Sequence, residues 1–158
     1  MKIHALALGC CVLMLATGCR GKGCRGKKIA DGDLYDVQAA LPAGVPYPVL
    51  EWKAITASVD RGDQTTTTLF GNDAAVAATR AGTAYPAGAV LGLVTWQQRD
   101  DPHWFGARIP GRPVSVEFVV VGTTTGYRKF EGDPWREVVE DGATRVAEIE
   151  TMKAALAP

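Results

Sequence analysis

The sequence predicts an α+β domain: an antiparallel β-sheet accompanied by a few short helices. Three observations carry this. Runs of β-branched and aromatic residues, several alternating apolar and polar with a period of two, recur through the middle of the chain. Short helical segments fall between and after them at intervals unsuited to regular βαβ units. The 158 residues are 47% hydrophobic and 22% charged, which suits one globular domain and argues against a disordered chain. No internal repeat is present.

The first element is a targeting segment. Met1-Lys2-Ile3-His4 forms a positive start, and Ala5 to Ala16 is an apolar run of 12 residues. A membrane span needs ~20 such residues, so the run suits the core of a signal peptide. Ala16-Thr17-Gly18-Cys19 resembles a bacterial lipobox, with Ala16 where that motif prefers Leu. The resemblance implies cleavage before Cys19 and acylation of that residue; an ordinary secretory peptide cut nearby is the alternative. Arg20 follows rather than Asp, which by the same resemblance implies the periplasmic side of the outer membrane. The expected organisation is a signal peptide at 1–18, a flexible basic tether at 19–32 and a domain at 33–158.

The tether carries Arg20, Lys22, Arg25, Lys27 and Lys28 among glycines and no acid up to Lys28. It either lies against anionic headgroups or acts as a solvated spacer. Gly21 to Lys28 approaches a phosphate-binding loop, but Lys28 stands where Ser or Thr is needed and no strand precedes it, so that reading is rejected. From Asp31 onward, 11 basic residues face all 17 acids, a domain charge of about −6. Without a basic field, nucleic-acid binding is excluded. Cys10 and Cys11 leave with the signal, Cys19 takes the lipid and Cys24 remains in the tether, its role unassigned. A body without cysteine cannot be stapled by disulfides.

Within the domain, Asp33 to Leu41 is expected to form a short helix stopped by Pro42. Leu50, Trp52, Ala54 and Thr56 alternate with Glu51, Lys53, Ile55 and Ala57, predicting a strand. Arg61-Gly62-Asp63 turns it into a second strand through Thr65 to Phe70. Asn72 caps a helix from Asp73 to Ala81, with Gly82 as its left-handed stop. Val90 to Gln97 and Val114 to Val121 predict two more strands, the latter central because its distal half is apolar on both faces. Between them, Arg99 to Pro102 and Pro110 to Pro113 are expected to bracket a loop holding His103, Trp104 and Phe105. Gly126 to Phe130 suggests another strand. Asp133-Pro134 is expected to open a helix that breaks at Gly142. Val146, Ile149, Met152 and Leu156 recur at spacings of 3, 3 and 4, predicting a closing amphipathic helix.

The chemistry available is sparse. After the signal, the chain has two serines, Ser58 and Ser115, and one histidine, His103. Neither serine sits in a nucleophile elbow, and Cys24 lies outside any formed pocket, so covalent hydrolysis is not expected. One histidine cannot build a zinc site; Asp100-Asp101-Pro102-His103 reads as a polar turn, and no metal site is expected. Trp52, Trp96, Trp104 and Trp135 serve the core or line a cavity. His103, Trp96, Trp104 and Phe118 are the candidate pocket residues.

The order of motifs carries more than any one of them. Tyr47-Pro48, Glu51-Trp52-Lys53, Leu69-Phe70-Gly71-Asn72-Asp73-Ala74, Tyr85-Pro86-Ala87-Gly88, Trp96, Ala107, Pro110-Gly111 and Val114-Ser115-Val116-Glu117-Phe118 together resemble the cytochrome P-460 family over about residues 46–130. The resemblance implies a periplasmic antiparallel-sheet protein, a homodimer in many members, holding a c-type haem and oxidising hydroxylamine or binding small gases such as nitric oxide. The departures bear on the cofactor. The family's Cys-x-x-Cys-His motif lies near the C-terminus, where this chain runs Arg145 to Met152, and no cysteine follows Cys24. Leu93 aligns with the lysine that cross-links haem in hydroxylamine-oxidising members. The family's glycine-rich, Trp-containing segment is also missing after Tyr127.

The expected function is therefore a lipid-anchored periplasmic module of P-460-like fold without covalent haem, a binding or structural protein rather than an enzyme. The alternative is a redox or gas-binding protein holding haem non-covalently, with His103 or Met152 as axial ligand. A third reading is an envelope protein that binds a basic partner through its acidic face. The expected partners are the membrane, through the lipid, and an unidentified small ligand or envelope protein.

Overall fold

The computed structural model describes residues 36–152. Six strands form one sheet in the order of the chain, each antiparallel to the next: β1 (Lys53–Asp60), β2 (Thr65–Gly71), β3 (Val90–Asp100), β4 (Arg108–Val120), β5 (Gly126–Glu131) and β6 (Arg136–Val138). Helix α1 (Asp73–Ala81) lies between β2 and β3, and α2 (Ala143–Thr151) follows β6. The described residues are mostly sheet with two α-helices, α+β in that coarse sense.

Sequential antiparallel pairing is what short connections between neighbouring strands allow. β3 and β4 are central and bury both faces, so the sheet carries a core on each side. On the helix side, Leu69, Leu91, Leu93 and Val119 pack with Ala75 and Val76 of α1 and Ile149 of α2. On the other side, Val94, Trp96, Val116, Phe118 and Phe130 pack under Val49, with Leu41, Tyr47 and Trp52 laid against them.

Local chemistry sets α1 as expected. Asn72 Oδ1 accepts from the Ala75 amide at 3.0 Å, and Gly82 closes the helix at φ 65°. Its small residues let it lie close to the sheet: a Cβ on Gly71 would meet Ala75 Cβ at 2.9 Å. The β1–β2 hairpin, the central position of β4, the strand at β5 and the closing helix through Val146 and Ile149, with Met152 as its C-cap, also match expectation. Leu156 and residues 33–35 lie outside the described residues, as do the signal and tether.

Four local expectations are corrected. From Asp36 to Leu41 the chain makes a turn, not a helix, because the Asp36 side chain and carbonyl take the Gln38 and Ala39 amides at 2.9 and 3.0 Å. Such capping competes with helix propagation. Leu50 is not in a strand: Val49–Glu51 is a single 3-10 turn that drops Val49 onto Gly92. The buried residue of β1 is Ile55, at a bulge between Ala54 and Thr56 that breaks the expected alternation. Pro110 to Pro113 lie inside β4, tolerated because the β3–β4 ladder is irregular there, with shifts between Thr95, Trp96 and Gln98. The bracketed loop shrinks to Asp101–Ala107. Finally, Asp133-Pro134 opens no helix but lies in the turn between β5 and β6, with Gly132 at φ 94°; cross-strand pairing, including the Arg128–Glu137 ion pair, draws the segment into the sheet.

Candidate functional site

On the helix side of the sheet, cross-strand rows change character along the strands. Leu91, Val119 and Tyr127 form one row, and Leu69, Leu93, Glu117 and Lys129 the next. Thr67, Thr95, Ser115 and Glu131 form a third. Helices α1 and α2 cover the apolar rows. The polar end stays open as a cleft of about 430 Å3, floored by Thr95, Ser115, Glu117 and Lys129 and walled by Glu140, Asp141, Thr144, Arg145 and Glu148.

Glu117 is the centre of this cleft. It is 5% exposed, the one charged residue among Val114 to Val121, and so must be paired to be tolerated there. Arg145 reaches down from the first turns of α2 and grips it with two bonds, Nε to Oε2 at 2.7 Å and Nη2 to Oε1 at 2.9 Å. The Tyr127 hydroxyl donates to Oε2 at 2.7 Å and lies 3.2 Å from Glu140. Arg145 also holds Glu148, and Lys129 bridges Glu131 and Glu140. The helix is brought over the strand at Gly142, where a Cβ would sit 2.4 Å from the Tyr127 ring. Only glycine permits that crossing.

The electrostatics follow from this geometry. Burial pushes the Glu117 carboxyl up, but the bonds from Arg145 and Tyr127 outweigh it and hold it below the ordinary glutamate value. Burial, then the Glu117 carboxylate, drives the Tyr127 phenol up. The bond to Glu117 drives the Arg145 guanidinium up. Glu117 is therefore ionised with both oxygens engaged, and is not poised to take a proton from a substrate. The arrangement offers binding chemistry: hydroxyls from Thr95, Ser115 and Thr144 beside four acids and two bases.

The residues singled out from sequence fall in two places. Trp96 and Phe118 come together in the core opposite the helices, 5% and 0% exposed, with Trp96 Nε1 bonded to the Ala39 carbonyl at 2.9 Å. Tyr47 and Phe130 close on Phe118 with ring centroids at 5.2 and 6.2 Å, so these aromatics pack on one another. His103 and Trp104 lie instead on the exposed β3–β4 tip, where Asp101 Oδ1 accepts the His103 amide at 2.8 Å as a polar turn does. Met152 is half-buried beside Ile149 on the helix side. Sequence reasoning missed the Glu117–Arg145–Tyr127 cluster. The available signal was a lone carboxylate in an apolar central strand, which demands a partner somewhere.

A family model described as Cytochrome P460 matches residues 47–150, from the segment before the 3-10 turn into α2. No curated protein matches the chain.

Proposed function

The chain belongs to the cytochrome P460 family, and on that premise we propose that it is an exported, lipid-anchored module of this fold that works without covalent haem, as a binding or structural protein. Cys19 carries the lipid and places the domain on the periplasmic side of the outer membrane.

One observation carries the reading. Where the resemblance sets the haem motif, Arg145 to Met152, this chain has a helix whose Ile149 is fully buried and whose Arg145 is locked onto Glu117. The donor set does not fit a covalently held haem: every cysteine precedes residue 25, and His103 has a side chain 82% exposed at the far tip of a hairpin. The packed aromatics around Phe118 support a scaffold on that face. The polar cleft on the helix side is where a small polar ligand would bind, and its excess of acids favours a cation.

The test is absorbance of protein expressed with haem-loading machinery. No Soret band is expected, and a stoichiometric one overturns the proposal. Haem titration of wild type, His103→Ala and Met152→Ala addresses the non-covalent alternative: saturable binding lost in either variant would establish it in place of this reading. Mass spectrometry of the mature N-terminus checks acylation of Cys19.

A further inference from the structure

We propose that the β3–β4 hairpin tip dips into the surface of a phospholipid bilayer, with Trp104 and Phe105 as the inserted side chains. β3 and β4 are the longest strands, 11 and 13 residues. Their far ends outrun the neighbouring ladders: β2 pairs with β3 up to Gln97, and β5 pairs with β4 only from Ser115 onward. Beyond those points a two-stranded ribbon continues through Gln98–Pro110, Arg99–Ile109 and Asp100–Arg108 pairs, with an Arg108–Asp100 ion pair at 3.1 Å.

The tip is built, not loose. The Asp101 amide donates to the Ala107 carbonyl at 3.0 Å, and the Ala107 amide to the Trp104 carbonyl at 3.1 Å. This turn holds two adjacent large apolar side chains in water, Trp104 at 72% and Phe105 at 110% exposure. Two neighbouring aromatics so exposed have no folding role and call for an apolar partner. Beside them a hollow of about 410 Å3 is lined by Val59, Arg61, Gln64, Gln98, Gly106 and Arg108; Arg108 is paired with Asp100, and the Arg61 guanidinium suits headgroup phosphate oxygens. An indole and a phenyl ring flanked by arginine are the side chains that settle at a bilayer interface.

The chain's own path selects lipid as the partner. The described structure begins at Asp36, whose carboxylate is ion-paired with Arg99 on this same ribbon. The Arg99 bond holds the Asp36 carboxyl below its usual range. The polypeptide from Cys19, 17 residues earlier, thus joins the domain at its aromatic end. A lipid on Cys19 would tether the domain by that end, within a reach of roughly 60 Å at most. This orientation rests on the lipid-anchor reading, and the experiment supplies the anchor chemically so that the two can fail separately.

The chain from Cys19 to Pro158, carrying Cys24→Ser, is coupled through Cys19 to maleimide lipid in phosphatidylethanolamine–phosphatidylglycerol vesicles. Brominated acyl chains then quench any tryptophan at the interface. Wild type should lose emission, Trp104→Phe should abolish nearly all of that loss, and Phe105→Ser should reduce it by about threefold or more, as expected for losing one inserted ring. Both residues are exposed, so the variants keep their fold. Equal quenching of wild type and Trp104→Phe, or none in either, overturns the proposal. An unacylated Cys19 in cells would remove the anchor reading and leave the vesicle result standing.

Discussion

Replacing Arg145 with alanine should destabilise the fold by about 2–3 kcal/mol near neutral pH, the value expected for stripping a partly screened partner from a buried carboxylate. The structure sets the magnitude. Glu117, its side chain 6% exposed, loses two charge-assisted bonds of 2.7 and 2.9 Å and keeps the Tyr127 hydroxyl. A fully buried orphan charge costs roughly 3–5 kcal/mol, but Arg145 is 37% exposed and the cleft admits water, which discounts that figure. Thermal and urea unfolding are the assays, with a fall in Tm of about 8–12 °C expected for a domain this size. The pH dependence sharpens the test. Because the folded-state pKa of Glu117 is lowered, its contribution is complete above the unfolded value of 4.5 and is lost as pH falls through the folded value. In Arg145→Ala, burial is opposed only by the Tyr127 bond and the Lys129 charge, so that pKa rises and protonating Glu117 relieves the variant. The gap between the two proteins should therefore narrow on going from about pH 7 to about pH 3. A gap below about 0.5 kcal/mol at neutral pH, or one unchanged by acid, refutes the reasoning.

Three further outcomes follow from other contacts. Gly92→Ala should lose about 1–3 kcal/mol in urea unfolding, since its Cβ would stand 2.4 Å from Val49 Cγ2 and 3.3 Å from the Phe118 ring. Ile149→Ala should cost about 2–4 kcal/mol by the same assay, because the side chain is fully buried and α2 is tied down through it. Asn72→Ala should cost about 1–2 kcal/mol, as Asn72 caps α1 and also bonds the Gly88 carbonyl and the Val90 amide at 2.9 and 3.2 Å; Asn72→Ser should recover part of it.

The expectations that failed share a cause. Asp133-Pro134 has the chemistry of a helix start, yet the same pair serves a turn, and strand pairing around Arg128–Glu137 selected the turn. Asp36 fell inside the helix expected from Asp33 to Leu41 and became a turn cap tied to Arg99. Leu50 left the expected strand for a 3-10 turn, and the strand's alternation breaks at the bulge that buries Ile55. In each case pairing with another part of the chain, not the local residue preference, set the structure. The candidate site divides in the same way. Trp96 and Phe118 were legible as aromatic and His103 as unusual, but nothing local says that the first two share one core cluster while the third projects into solvent.

What the residues alone determined is whatever is decided within one turn or one strand: the capped helix after Asn72, the β-rich run of β3 and the period-two run of β4, the 3.6-residue stripe through Val146 and Ile149, and the lack of a thiol pair after Cys24. These rest on neighbours a few positions apart, whose energetics need no knowledge of the rest of the chain. Tertiary structure decided which polar groups share a space. Arg145 meets Glu117 across 28 residues, and Asp36 meets Arg99 across 63. Such pairings depend on how the sheet stacks its rows and where α2 crosses them, and burial of the apolar rows, not any preference of the charged residues, sets that geometry.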